Sequence, residues 1–254
     1  MDLSKLKAQA SSAAVFAGRY LLESLQKKRD VQEKEGLELV SDADLEAQRM
    51  LTKRLSSTGI KIVAEEGASE IVDTCWLVDP IDGSTNYIHR LPVFSISIGL
   101  MIGGSVALGI VHAPYLGETF TAIRSGGARL NGKAIGVSRT KVLKEGLLAT
   151  GFPYDLKASK DNNFDHFENF SHHARAIRRM GCASLDLAYV ACGRFDGFWE
   201  MKLKPWDTAA GKLLVEEAGG KATDFSGKEF ELENESILAS NGLIHDEMVR
   251  TLNR

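Results

Sequence analysis

One stretch limits what this chain can become more than any other: Trp76-Leu-Val-Asp-Pro-Ile-Asp-Gly-Ser-Thr-Asn-Tyr87. Its apolar start reads as a buried strand. The strand stops abruptly at two carboxylates, Asp79 and Asp82, and opens into a turn at Gly83. Pro80 fixes one backbone angle and Gly83 permits unusual ones, so both acids sit on a rigid strand end. Two anionic groups held that close repel each other unless a cation lies between them. A divalent ion of the Mg²⁺ type, which prefers oxygen ligands, is the economical remedy. The backbone N–H groups around Gly83, Ser84 and Thr85 can face a phosphate where a new element begins. An EF-hand is excluded, because with Gly83 at the sixth loop position the first and third positions fall on Val78 and Pro80.

The 254 residues, 44% hydrophobic and 26% charged, suit one large unit or two intimate halves with ample core. We expect residues 1–140 to form an α+β half carrying the metal-binding acids. Residues 141–254 should form an α/β half carrying the substrate pocket and the last metal ligand, within one compact unit. A net charge of −3 provides no basic field for nucleic acid or an anionic membrane. Cys75, Cys182 and Cys192 are odd in number and lack C-x-x-C spacing, which argues against disulfides or zinc and for a reducing cytoplasm. No apolar run approaches the roughly 20 residues of a membrane span. A soluble, cytoplasmic protein is expected.

Along the chain, apolar residues from Leu6 to Leu25 at helical spacing predict an amphipathic helix over Leu3 to Lys28. Lys27 to Lys34 reads as a charged loop. Leu39 to Ser41 is extended and leads into a helix capped by Ser41 that runs to about Leu55. Strands are predicted at Ile60–Ala64, Val93–Met101, Ser105–His112 and Gly117–Ile123, the middle pair joined by Gly103-Gly104 as a hairpin. Gly126 to Lys133 reads as turn chemistry. Beyond a crease near 140–146 come a strand at Leu147–Thr150, a helix over Asn162–Arg178 and another over Leu185–Cys192. A strand then ends at Glu200, and Asp207 reads as the cap of a helix from Thr208 to Ala218. Short strands at Lys221–Asp224 and Ser236–Ala239 precede a last helix, His245–Leu252. Helices mixed with antiparallel hairpins suggest stacked layers rather than a simple βαβ alternation.

Three acidic clusters therefore fall at element ends: Glu65-Glu66, Asp79/Asp82 and Asp207. Other candidates carry less. His166, His172 and His173 are spaced as surface residues of a polar helix, Cys182 reads as a buried pocket thiol, and Trp76, Trp199 and Trp206 read as core.

Asp79-Pro-Ile-Asp-Gly-Ser-Thr-Asn86 and Trp206-Asp-Thr-Ala-Ala-Gly211 resemble the two signatures of the inositol monophosphatase family. Glu65-Glu66-Gly67 is similar to the family's third acidic element, and Leu39-Val-Ser-Asp-Ala-Asp44 to its early Leu-Val-Thr-x-x-Asp piece. The resemblance spans roughly residues 5 to 250. It implies a layered αβαβα sandwich of the inositol monophosphatase and fructose-1,6-bisphosphatase type. It also implies a lithium-sensitive phosphatase using two to three Mg²⁺, with Mn²⁺ as the other candidate, in a homodimer.

By position, the resemblance implies that Glu65, Asp79 and the Ile81 carbonyl bind a first ion, and Asp79, Asp82 and Asp207 a second. Glu65 would help hold a third. Gly83 and Ser84, with Thr85 beside them, would meet the phosphate, and Asp44 with Ser84 would activate the attacking water. Glu200 would grip substrate hydroxyls, with Gly181, Cys182 and Ala183 lining that pocket and Asp82 and Asp207 reaching the substrate. Ser41 and Ser84 stand where the family usually has Thr, and Gln48 where an acid is common. Lys34 is set against a basic residue of the family's metal-site loop.

The chemistry expected is hydrolysis of myo-inositol 1-phosphate by direct attack of water, since no Cys, His or Ser has a nucleophile's partner arrangement. The enzymatic alternatives are fructose 1,6-bisphosphate, alone or as a second substrate, and a nucleotide such as NADP or adenosine bisphosphate. The non-enzymatic alternative is a regulator associated with RNA polymerase. Small sugar or inositol phosphates are the expected partners, with neither nucleic acid nor membrane.

Overall fold

The computed structural model describes residues 1–27, 31–33, 39–67 and 69–253. Lys34 and most of the charged run around it lie outside the described residues. The first half builds one large sheet and the helices on its outer side. Helix α1 (Leu3–Ser24) is followed by two short strands, β1 (Val31–Glu33) and β2 (Leu39–Ser41), and by α2 (Asp42–Leu55). Then come β3 (Lys61–Ala64), β4 (Cys75–Asp82), the short helix α3 (Ser84–Ile88), β5 (Ser95–Ile102), β6 (Ser105–Ala113), β7 (Glu118–Ile123), β8 (Gly127–Leu130) and β9 (Lys133–Ala134). The second half runs β10 (Leu147–Thr150), α4 (Phe164–His173), β11 (Ala176–Arg178), α5 (Ala183–Ala191), β12 (Gly197–Met201), α6 (Pro205–Glu217), β13 (Lys221–Thr223), β14 (Ser236–Ser240) and α7 (His245–Leu252).

Strands β3 to β9 form a seven-stranded sheet in sequence order, parallel only between β3 and β4. A five-stranded sheet has the order β11-β10-β12-β14-β13. Helices α1 and α2 cover one face of the larger sheet, α5 and α6 lie between the sheets, and α4 and α7 cover the far face of the smaller one. This is the expected αβαβα sandwich.

Side-chain alternation produces the layering. In β4, Trp76 and Val78 join the core beneath α1 and α2, while Cys75 and Leu77 join the core around α5 and α6. In the second sheet Ala149, Phe198 and Ala239 face that same central layer, whereas Leu148, Trp199 and Leu238 pack toward α4 and α7. Strands buried on both faces read as continuous apolar runs, which is why the sequence showed them clearly.

The central layer needs a close approach. Gly99 of β5 and Gly109 of β6 are cross-strand partners. A Cβ on Gly99 would lie 2.8 Å from the Ala209 Cβ, and one on Gly109 only 2.7 Å from the Ala210 carbonyl oxygen. On the other side of α6, a Cβ on Gly211 would meet Leu187 of α5 at 2.5 Å. The Ala-Ala-Gly part of the second signature is therefore packing that lets α6 lie flat against the sheet.

Three sequence expectations are corrected. Within Gly126 to Lys133, Gly126 and Asn131-Gly132 are turns as expected, but Gly127–Leu130 between them is strand β8, paired with β9. The helix expected over Asn162–Arg178 ends at His173, and Ala176–Arg178 becomes an edge strand parallel to β10. Helical periodicity could not reveal that switch, because sheet pairing outweighs weak local propensity. Helix α6 begins at Pro205, so Asp207 is its third residue and not its cap. Proline's fixed φ suits the first helical position, and the Asp207 carboxylate reaches back to the Lys204 N–H at 2.8 Å.

Gly109→Ala should lower unfolding stability by about 1–3 kcal/mol through overpacking. Gly136→Ala, whose added Cβ would meet only the Ala218 carbonyl at 3.6 Å, should leave it unchanged. Urea unfolding midpoints compare the two.

Candidate active site

Strand β4 carries its acids into a bulge: the pairing with β5 shifts register between Asp79 and Asp82. Asp79 is buried and its carboxylate accepts the Ile81 N–H at 2.9 Å, which fixes the turn geometry around Pro80. Gly83 follows in the left-handed region, φ 90°, and the chain enters α3. A pocket of about 440 Å³ opens here. Glu65 at the end of β3, Asp79, Ile81, Asp82, Gly83, Ser84 and Thr85 line it on one side. Gly181, Cys182, Ala183, Glu200 and Asp207 line it on the other. Asp44 stands off the pocket wall, buried behind Ser84.

Asp44 is held at both oxygens. One accepts the Ser41 N–H at 2.8 Å and the Ser41 hydroxyl at 2.6 Å; the other lies 2.7 Å from the Ser84 hydroxyl. The same Ser84 hydroxyl lies 2.8 Å from the Ile81 carbonyl. A hydroxyl has a single hydrogen, so it serves one acceptor at a time and can accept a proton while donating its own. Gln48 donates to the Glu66 carbonyl at 2.7 Å and accepts the Glu66 N–H at 3.0 Å. Both halves of an amide are needed for that pair of bonds, which accounts for an amide where an acid was expected.

The acids repel one another. Burial pushes the Asp79 carboxyl well above the usual carboxylate range, and Glu65, Asp82 and Asp207 add to the push. Asp207 is raised by burial and then by Asp82 and Glu65. Burial raises Asp82 too, opposed by donors at the start of α5: Ala183 N–H at 3.2 Å, Ser184 N–H at 2.6 Å and the Ser184 hydroxyl. Glu200, buried on β12, is pushed up to about 8 by burial and by Asp82, with Arg179 opposing.

Among the described residues no three His, Cys, Asp or Glu side chains form a preformed metal cage. The donor set nonetheless suits a hard divalent cation: four carboxylates and one carbonyl, all oxygen, with Asp79 and Asp207 raised by their acidic neighbours as well as by burial. The histidines expected to be surface residues do not gather there; His166 packs edge-on against Phe225. Trp76 and Trp199 are core as expected, whereas Trp206 lines the pocket.

The sequence reading missed three residues. Asn86 donates across the pocket floor to Met180 at 2.8 Å. Arg179, rather than its neighbour Arg178, lines the pocket. Asp186 is buried on α5 with one carboxylate oxygen that lacks a hydrogen-bond partner, and burial and Glu200 hold its pKa well up. Its spacing of three and four from Ala183 and Cys182 places it on the same helix face, a signal legible in the sequence.

Glu200 rests where a Cβ of residue 151 would be, 2.0 Å from its carboxylate oxygen. Gly151→Ala should therefore displace the Glu200 carboxylate from its place on the pocket wall. The Glu200 carboxyl is higher in the folded protein than its usual 4.5, so the folded state holds that proton more tightly. The stability this contributes is complete below the unfolded pKa and is lost as pH rises through about 8. In metal-free buffer, melting temperature should decline between pH 5 and pH 9, and Glu200→Gln should shallow that decline.

Residues 2–254 match the inositol monophosphatase family. The fructose-1,6-bisphosphatase/inositol-1-monophosphatase of Thermotoga maritima is 43% identical, over 88% of this chain and 86% of its own length. The Nus factor SuhB of Pseudomonas aeruginosa is 40% identical, over 91% of this chain and 90% of its own. The solved inositol monophosphatase of Anabaena superimposes with a TM-score of 0.91 at 37% identity, covering 100% of this chain and 97% of that one. With a family match over residues 2–254 and likeness in fold and sequence along its whole length, the chain belongs to the inositol monophosphatase family.

Proposed function

We propose that the protein hydrolyses a phosphate monoester to its alcohol and inorganic phosphate, with myo-inositol 1-phosphate as the preferred substrate. The observation that carries this reading is the pairing of a repelling carboxylate cluster with the Ser41–Asp44–Ser84 chain on opposite sides of one turn. Glu65, Asp79, Asp82, Asp207 and the Ile81 carbonyl would hold Mg²⁺. When bound, such ions supply the positive charge that a dianionic phosphoryl group requires and make a nearby water more acidic.

The chain's own residues do the rest. Gly83, free of a side chain, lets the phosphate approach the turn backbone closely, and Ser84 and Thr85 offer hydroxyls beside it. An attacking water would give its proton toward the Ser84 oxygen, whose own hydrogen passes to Asp44. Ser41 keeps the Asp44 carboxylate from turning away. Water oxygen bonds to phosphorus, the ester P–O bond breaks, and the departing alkoxide takes a proton from a solvent water to become the alcohol, the proton held by Asp44 returning to solvent. Glu200 faces the departing alcohol and would bond its hydroxyls, while Cys182 and Ala183 shape that side. The Cys182 thiol is buried and raised by burial and by Asp82, so it lines the pocket without acting as a nucleophile.

Similarity to the Thermotoga protein supports fructose 1,6-bisphosphate as a second substrate. Similarity to SuhB supports a separate binding role in transcription, whose test is whether a regulatory phenotype survives Asp82→Asn when hydrolysis does not.

Purified protein should release phosphate from inositol 1-phosphate only with Mg²⁺ present. Asp44→Asn and Ser84→Ala should each lower kcat by about 10²–10⁴, the usual contribution of positioned proton transfer. Equal release with and without Mg²⁺ would refute the reading, and faster release from fructose 1,6-bisphosphate would reverse the substrate preference.

A further inference from the structure

We propose that Asn86 is a positioning residue that locks the phosphate-facing turn to the wall that receives the alcohol, so that recognition of the polyol depends on it more than hydrolysis does. The inference about substrate rests on the phosphatase reading above; the inference about the lock does not.

Asn86 is buried at the end of the first signature, and its side-chain amide nitrogen faces three carbonyl oxygens: Val93 at 2.7 Å, Met180 at 2.8 Å and Gly181 at 3.3 Å. Three acceptors converge on it, so only the nitrogen can point there; an oxygen in its place would meet nothing but lone pairs. Two hydrogens can satisfy the two short contacts fully. They tie together segments that lie 94 residues apart in the chain.

What lies around that tie is a tight seam. A Cβ on Gly83 would be 3.1 Å from both the Gly181 and the Val93 carbonyl oxygens, so turn and wall already touch there. Gly181 then bends the chain with φ 73° into Cys182 and α5, whose first N–H groups reach Asp82. The amide thus sets the spacing between the Gly83–Ser84 turn and the Gly181–Ala183 wall. The hydrogen bonds that organise the proton path, Ser41 to Asp44 and Ser84 to Asp44, run on the other side of the turn and use none of these carbonyls. Asp82 keeps the N–H and hydroxyl of Ser184, which lie inside α5 beyond the seam, so loosening the seam moves the alcohol wall at Met180–Cys182 first.

The test is Asn86→Ala, with Asn86→Ser measured in its place if the alanine variant does not fold. Steady-state kinetics on inositol 1-phosphate and on p-nitrophenyl phosphate, whose leaving group has no polyol hydroxyls, should show a split. KM for the inositol ester should rise about tenfold or more while kcat stays within about threefold, and kcat/KM for the aryl ester should stay within about threefold. Hydrogen–deuterium exchange of the substrate-free variant should accelerate across residues 180–184 and not across 39–45. An equal loss of kcat on both esters would overturn the recognition role. Unchanged exchange across 180–184 would overturn the lock. If the wild-type protein hydrolyses neither ester, the phosphatase reading falls, and exchange alone then decides whether Asn86 holds the seam.

Discussion

Repulsion among carboxylates is the constraint on which the rest of this structure depends. Asp79 and Asp82 lie three residues apart on one strand end, and β3 and α6 bring Glu65 and Asp207 to the same pocket. Left to local chemistry, such groups would separate or remain protonated. The three aspartates stay because each is fixed by backbone it does not control: Asp79 by the Ile81 N–H, Asp82 by the start of α5, and Asp207 by the Lys204 N–H. The molecule stores unfavourable electrostatics where a divalent cation would relieve them, and the stiffness of the surrounding layers makes that storage stable.

That stiffness comes from small residues. Helix α6 can bring Asp207 over the end of β4 only because Gly99 and Gly109 leave room on the sheet and Gly211 leaves room for α5. The two signatures are therefore partners in packing as well as in chemistry. The first supplies a strand end and a left-handed turn, and the second supplies a helix thin enough to press an acid against them. Gly151 has the same role for Glu200, which fills the space a side chain there would need.

Much of this was legible in the sequence. Apolar strands with acids at their ends marked the acids that line the pocket, and resemblance to the family supplied the αβαβα layering that local periodicity could not. Asp44 was readable as the acid behind Ser84, and Ser41 as the start of its helix. What stayed hidden depended on distant backbone. The strand at Ala176–Arg178 exists because β10 offers it an edge, so its own residues read as helix. Asp207 reads as a cap because Asp is a favoured N-cap, whereas Pro205 takes the first helical position and starts the helix two residues before it. The role of Asn86 is not legible in the signature, because its acceptors at Val93 and Met180 are brought to it only by folding.

The most direct test of the central claim is calorimetric titration of metal-free protein with Mg²⁺ near pH 6.5, in two buffers of different ionisation enthalpy. Asp79 and Asp207, whose carboxyls are raised by burial and by acidic neighbours, hold protons that an arriving cation must expel. The account predicts saturable binding with net proton release, reduced in Asp79→Asn. Binding without proton release, or no binding at millimolar Mg²⁺, would contradict it, because the acids would then be a structural cluster whose repulsion serves no cation.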